Sequence, residues 1–321
     1  MAWNALLICG GLLFLFIGGE TLVRGSVAIA ERLGLSKLLI GLTVVGVGTS
    51  APELLVSVSA ALGGAPEIAL GNVVGSNIAN VLLIIGLSVL ICPLIGWQRS
   101  AVRDALVATL VALVLFGLVH DPLIARVEGL ALLLALLVYL LASYWLERRE
   151  SQTTVAEHEV EEFEDIGISR LWTAAGLVIG GIVALVLGAE WLVRGAVDIA
   201  RTFSVSDAVI GLSLVAVGTS LPELATAIVA ALRKHPDVVL GNVIGSNIFN
   251  VLGILGVTAL ITPIAASTRF ENVDTPIMFF ASTSLLVLLF ATRRVGRGVG
   301  ITMLVLYTAY IYLLFALGAL E

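Results

Sequence analysis

Charge is scarce in this chain. Asp, Glu, Lys and Arg together make 12% of its 321 residues, hydrophobic residues make 59%, and the mean hydropathy is +1.11. Ordinary soluble domains carry about twice that share of charge, so a water-exposed globular surface is excluded. Histidine and cysteine are also nearly absent, at three and two residues. His120, His158 and His235 fall at the edges of apolar runs or in a polar stretch, and no chemistry is assigned to them. Cys9 and Cys92 both lie in apolar runs, which predicts buried thiols, with neither a disulfide framework nor a metal motif. An intramembrane protease fares worse too, because Ser50 and Ser220 have neither a GxSxG setting nor a membrane histidine as partner. With a net charge of −6 no nucleic acid partner is expected, and no motif calls for a cofactor.

What the chain has in abundance is apolar length. Apolar runs fall at 3–30, 37–62, 68–93, 104–119 and 123–146, then at 171–200, 208–232, 238–261, 275–292 and 300–320. Each is near the roughly 20 residues a bilayer needs, which predicts an all-α polytopic membrane protein of ten transmembrane helices with the lipid bilayer as its solvent. The first run has no basic segment before it and is read as a retained helix rather than a cleaved signal. Basic residues cluster on alternate connections: Arg32 and Lys37, Arg99 and Arg103, Arg148 and Arg149, Arg233 and Lys234, and Arg293, Arg294 and Arg297. The opposite set holds only Arg126, Arg201 and Arg269. Both termini are therefore expected outside the cytoplasm.

The two halves of the chain repeat each other. GLTVVGVGTSAPELL begins at Gly41 and GLSLVAVGTSLPELA at Gly211; GNVVGSNIAN begins at Gly71 and GNVIGSNIFN at Gly241. Glu53 and Glu223 stand 170 positions apart, and the same offset relates Glu20 to Glu190, Arg24 to Arg194, Ser76 to Ser246 and Pro93 to Pro263. Without gaps, 18–93 and 188–263 agree at 41 of 76 positions, far beyond shared apolar composition. Five spans separate equivalent helices, an odd number, so the second copy crosses in the opposite direction. This predicts two inverted five-helix repeats, 1–147 and 171–321, joined by an acidic cytoplasmic loop at 148–170. That loop carries Glu157, Glu159, Glu161, Glu162, Glu164 and Asp165 and reads as a solvated linker. Inverted repeats place a substrate site near the membrane midplane.

An ionisable group at that depth costs several kcal/mol, so Glu53 and Glu223 read as functional. On a helix, Thr49 and Ser50 share a face with Glu53, as Thr219 and Ser220 do with Glu223. Asn72, Ser76 and Asn80, and likewise Asn242, Ser246 and Asn250, form polar stripes at four-residue spacing. Carboxylate, hydroxyl and amide carbonyl are all oxygen donors, a set that suits hard cations such as Ca²⁺ and Na⁺. Pro52 and Pro222 free the carbonyls of Gly48 and Gly218, and broken backbone at membrane depth can bind cations where it lines a cavity. Asn72, Asn77, Asn242 and Asn247 are read mainly as satisfying backbone groups near those breaks. Glu20 with Arg24, and Glu190 with Arg194, are opposite charges at i,i+4 and read as anchors near the interface.

GTSxPE followed by GNxxGSNxxN, present twice in inverted five-helix copies, closely resembles the α-repeats of the cation/calcium exchanger superfamily, nearest to its prokaryotic sodium/calcium exchangers. The resemblance covers both repeats and leaves only the acidic loop outside. It implies an antiporter of Na⁺ and Ca²⁺ in a prokaryotic cytoplasmic (inner) membrane, not an enzyme, working as a monomer. Carried over position by position, it implies ion ligands at Thr49, Ser50, Glu53, Ser76 and Asn80, and at Thr219, Ser220, Glu223, Ser246 and Asn250. Backbone carbonyls near Gly46 and Ala216 would join them. Where Asn250 stands, the potassium-dependent branch carries aspartate, so the asparagine implies independence from K⁺. The alternative is a Ca²⁺/H⁺ antiporter using the same glutamates as proton carriers, against which the clustered hydroxyl and amide oxygens count as Na⁺ sites. A cation channel would usually need a ring of subunits, whereas an internal two-fold repeat frames a single alternating-access site.

Overall fold

In a bilayer, backbone groups that cannot reach water must bond internally, which leaves helices or closed barrels. This chain folds as helices. The structure, a computed structural model, describes residues 2–154, 170–202, 216–292 and 294–318. The first half holds α1 (Ala2–Leu33), α2 (Lys37–Thr49), α3 (Ala51–Leu62), α4 (Glu67–Ile91), α5 (Arg99–Leu118) and α6 (Arg126–Thr154). The second holds α7 (Leu171–Thr202), α8 (Ala216–Thr219), α9 (Leu221–Leu232), α10 (Pro236–Ile261), α11 (Phe270–Ala291) and α12 (Arg297–Gly318). Among the described residues, eight helices are long and apolar enough to cross a membrane, and α2 with α3 makes a ninth if the bent pair is one span. The expected start of the seventh run, at 208–215, and the acidic residues from Glu157 to Asp165 lie outside the described residues. Helix α6 continues to Thr154, seven residues into the stretch read as linker. Glu147, Arg148, Arg149 and Glu150 are good helix formers, and nothing in their sequence stops the helix at the end of its apolar run.

Burial runs opposite to that of a soluble protein. Leucines and aromatics such as Leu12, Phe16, Val138 and Tyr312 point outward, while Thr49, Ser50, Glu53, Ser76, Asn77 and Asn80 are buried. Cys9 is exposed and Cys92 partly so, which corrects the expectation of buried thiols. An apolar run cannot tell a lipid-facing side from a core-facing one, and Cys9 is on the outward side of α1.

Helices α1 and α7 pack along most of their length through glycines spaced seven apart: Gly11 meets Gly188, Gly18 meets Gly181, Gly25 lies against the Ala174 carbonyl and Gly195 against the Asn4 carbonyl. A Cβ on Gly18 would lie 2.9 Å from the Gly181 carbonyl oxygen, so only glycine lets the two backbones approach this closely. Glu20 on α1 pairs with Arg233 after α9 through two guanidinium bonds, whereas Arg24 stands 4.0 Å away. The main partner of Glu20 is thus long-range, and the i,i+4 pair read from sequence is secondary to it.

Two short antiparallel ladders tie the ends of the bundle. Strand β1 (Leu94–Ile95) pairs with β4 (Arg294–Val295), and β2 (Leu123–Ile124) pairs with β3 (Ile264–Ala265). Arg297 caps the end of α4 by donating to the Leu90 carbonyl at 2.9 Å, and Arg126 does the same for α10 at the Ile261 carbonyl, 3.2 Å. A cation at a helix C-terminus offsets its unpaired carbonyls.

Candidate functional site

The site is built where two helices break. Pro52 has no N–H to continue the helix and its ring would clash with the carbonyl of Gly48, so α2 ends at Thr49 and α3 begins at Ala51, bent by 42°. Ser50 sits in the break with φ −80° and ψ 8°, and Ser220, before Pro222, repeats it with φ −86° and ψ 6°. Thr49 and Glu53 therefore stand on different helices, which corrects the reading that both share one face of a continuous helix. The break is what lets hydroxyl and carboxylate converge. Opposite it, α4 and α10 each widen into a π-helical turn, at Asn80–Ile85 and Asn250–Leu255. Such turns cluster at functional sites.

The two halves bond crosswise. Ser50 Oγ donates to Glu223 Oε1 at 3.0 Å, and Ser220 Oγ contacts Glu53 Oε1 and Ser76 Oγ at 3.3 Å each. Ser246 Oγ donates to the Gly46 carbonyl at 3.2 Å, which also takes Thr49 Oγ1 at 3.3 Å and the Ser50 N–H at 3.1 Å. Thr49 Oγ1 lies 3.2 Å from Asn242 Oδ1, and Thr219 Oγ1 lies 3.4 Å from Asn72 Oδ1. Asn72 and Asn242 hold the breaks, donating to the Glu53 carbonyl at 3.2 Å and the Glu223 carbonyl at 3.3 Å. That is the backbone role read from sequence. Ala216 lies on the short helix α8, four residues before the break at Ser220.

Asn77 and Asn247 do more than satisfy backbone. Each donates to the other's carbonyl, at 3.1 and 3.4 Å, and their Oδ1 atoms accept from Asn250 Nδ2 at 3.1 Å and Asn80 Nδ2 at 3.0 Å. The signal available in the sequence was the GSN triplet repeated at the same 170 offset, but which amide meets which is set by packing between the halves.

Glu53 and Glu223 are each 1% exposed. Among the described residues, Glu53 Oε2, Glu223 Oε2, Asn80 Oδ1 and Asn250 Oδ1 are buried with no hydrogen-bond partner. They are two matched pairs under the repeat offset. The turns that carry Asn80 and Asn250 pack against the helices that carry Glu223 and Glu53, and buried acceptor oxygens left unpaired are costly unless a cation meets them. Among the described residues no cluster of three or more His, Cys, Asp and Glu occurs, so the donor set is two carboxylates plus neutral oxygens.

A cavity of about 440 Å³ reaches Ser76, Thr219 and Ser220 from a mouth beside Arg269, Phe270 and Asp274. Sequence reasoning missed this mouth. Arg269 bonds Asp274 Oδ2 at 3.0 Å and Tyr310 donates to its Oδ1 at 3.2 Å. The clue was Asp104 and Asp274, another carboxylate pair at the 170 offset. On the other side the glycines of α2 and α10 seal backbone to backbone: a Cβ on Gly41 would lie 3.1 Å from the Gly241 Cα. Among the described residues, nothing lies within 4 Å of a Cβ on Gly75, the counterpart of Gly245 on that seam.

Known proteins share this arrangement. The family model described as sodium/calcium exchanger protein matches residues 3–145 and again 173–316. The sodium/calcium exchanger MaX1 of Methanosarcina acetivorans is 32% identical, with 97% of this chain and 98% of that protein covered. The inner membrane protein YrbG of Escherichia coli K12 is 34% identical over 93% of this chain and 92% of its own. A solved structure of the sodium-calcium exchanger NCX_Mj superposes with a TM-score of 0.83 at 35% identity, covering 97% of this chain and 98% of that one. With both halves matched by one family model and near-complete coverage of these relatives, the chain belongs to the sodium/calcium exchanger family as a member of prokaryotic type, an integral membrane antiporter of cations including Ca²⁺.

Proposed function

We propose that this protein exchanges Na⁺ for Ca²⁺ by alternating access, both ions competing for one midmembrane site. The observation that carries this is the buried quartet of Glu53 Oε2, Glu223 Oε2, Asn80 Oδ1 and Asn250 Oδ1, all without hydrogen-bond partners. Two carboxylates and two carbonyls match the hard oxygen environment of Ca²⁺. Ser50, Ser76, Ser220, Ser246, Thr49 and Thr219, with the carbonyls near Gly46 and Ala216, add neutral oxygens for Na⁺. Serine and threonine hydroxyls that now bond Glu53, Glu223 and Gly46 can rotate to turn lone pairs toward a cation. A site with two bare carboxylates is reluctant to reorient, and that reluctance couples the two ions. Asn250 adds no third charge, so the exchange is independent of K⁺.

The frame of the proposal is ten helices in two inverted repeats, 1–147 and 171–321. The ladders support it: β1 and β3 are equivalent under the repeat, and each pairs with the strand that follows the other, β1 with β4 and β3 with β2. That exchange of partners is what a two-fold axis in the membrane plane produces. The basic-residue asymmetry puts both termini outside, so the cavity beside Arg269 opens to the exterior and the glycine seam closes the cytoplasmic side. The likeness to the inner membrane protein YrbG supports an inner-membrane location. The test is Ca²⁺ uptake into proteoliposomes under Na⁺, K⁺ or pH gradients imposed one at a time. A Na⁺ gradient alone drives uptake under this reading. A pH gradient that drives uptake while Na⁺ does not would replace it with Ca²⁺/H⁺ exchange through the same glutamates.

A further inference from the structure

An asparagine side chain has two ends of opposite kind, a carbonyl that can hold a cation and an NH₂ that repels one. Turning the amide by 180° exchanges them with almost no change of shape. Asn80 and Asn250 can serve a cation only if something fixes that turn.

The fixing starts from backbone. Asn247 Nδ2 reaches the Asn77 carbonyl at 3.4 Å, and a carbonyl only accepts, so that end of Asn247 must be its NH₂ and the other end its Oδ1. Oδ1 also only accepts, so Asn80 must offer it Nδ2, as it does at 3.0 Å, leaving Asn80 Oδ1 turned away. The mirror chain runs from the Asn247 carbonyl through Asn77 Nδ2 at 3.1 Å to Asn77 Oδ1, which takes Asn250 Nδ2 at 3.1 Å. The two oxygens left over are Asn80 Oδ1 and Asn250 Oδ1, buried and unpartnered among the described residues, on turns that pack against the helices carrying Glu223 and Glu53. All four amides are under 5% exposed, so water does not compete for these bonds.

The geometry points to Asn77 and Asn247 as positioning residues, a reciprocal amide lock that turns the carbonyls of Asn80 and Asn250 toward the transported cation. The lock is crossed. Asn247 of the second half orients Asn80 of the first, and Asn77 orients Asn250. Each half therefore completes the other's ligand, and the two half-sites hold together as one. This inference rests on the reading of Asn80 and Asn250 as cation ligands.

Removing the lock without touching a ligand tests it. In reconstituted full-length protein, Asn247→Ala raises the Ca²⁺ KM by about 10–100-fold, the usual range for a residue that orients a metal ligand. Ca²⁺-dependent thermal stabilisation weakens in parallel. Asn80→Asp supplies the deciding background, because both ends of its side chain are oxygen and orientation no longer matters. There the Asn247 Oδ1 faces another oxygen, so adding Asn247→Ala leaves the KM unchanged or lowers it relative to Asn80→Asp alone. A role confined to holding the helices together predicts the same rise in both backgrounds, and that result overturns the lock. If Asn247→Ala does not insert folded, Asn77→Ala with and without Asn250→Asp carries the same prediction and the same refutation. Glu53→Gln, measured alongside, separates the two failures. Normal transport in Glu53→Gln removes the site itself. Lost transport there, with an unshifted KM in Asn247→Ala, removes the lock alone.

Discussion

Replacing Glu53 with glutamine exchanges one oxygen for an NH₂ group and removes one of the two buried charges. A unit charge pair 4 Å apart is worth about 4 kcal/mol at an effective dielectric near 20, and a divalent ion doubles this to about 8 kcal/mol. Roughly half returns, because the remaining amide oxygen still coordinates and Glu223 no longer has a like charge opposing it. The net loss of about 4 kcal/mol is about a thousandfold in Ca²⁺ affinity, at 1.4 kcal/mol per tenfold. Folding should not suffer. Glu53 is fully enclosed, and its carboxylate takes the Ser220 hydroxyl at 3.3 Å. A neutral amide with one unsatisfied N–H costs about 1–3 kcal/mol, less than a buried charge without a counter-ion. The purified mutant should therefore melt no lower than wild type without Ca²⁺, show no further rise when Ca²⁺ is added, and carry no Ca²⁺ flux in proteoliposomes. Near-normal flux, or full Ca²⁺ stabilisation, would refute the electrostatic argument. Glu223→Gln should behave alike.

Three further outcomes follow from other parts of the molecule. Single cysteines at Ala65 and Glu159 should label from opposite sides, Ala65 from outside and Glu159 from the cytoplasm, and same-side labelling would break the inverted ten-helix frame. Asn250→Asp loses the donor to Asn77 Oδ1 and adds a third negative charge, so it should change ion dependence more than folding; wild-type exchange that requires K⁺ on the Ca²⁺ side would contradict this. Gly18→Leu drives a side chain into the Gly181 carbonyl, and the overpacked α1–α7 seam should lower stability by about 1–3 kcal/mol, read as a fall in thermal midpoint; an unchanged midpoint would mean the seam is looser than its geometry.

Much of this was legible in the chain itself. Apolar runs located the helices, and the 170 offset paired Glu53 with Glu223, Ser76 with Ser246 and Asn80 with Asn250. What periodicity cannot report is which element of the other half faces a given side chain. Ser50 reaches Glu223 rather than its own neighbour Glu53, and Glu20 reaches Arg233 rather than Arg24, because packing between the halves sets those distances. Helical spacing also put Thr49 and Glu53 on one face, whereas Pro52 breaks the helix between them. Cys9 was misread for a related reason: apolarity is equally suited to lipid and to core. The Asn77–Asn247 lock was hidden because an amide's value depends on which end it shows, and that is decided by a carbonyl 170 residues away.

The central claim is that Na⁺ and Ca²⁺ compete for one set of oxygens around Glu53 and Glu223. Equilibrium Ca²⁺ binding to the purified protein, titrated with NaCl and separately with KCl, tests it most directly. The account predicts saturable Ca²⁺ binding that Na⁺ displaces competitively, that K⁺ leaves unchanged, and that disappears in Glu53→Gln. Ca²⁺ binding that persists at saturating Na⁺, or that survives in Glu53→Gln, would contradict it.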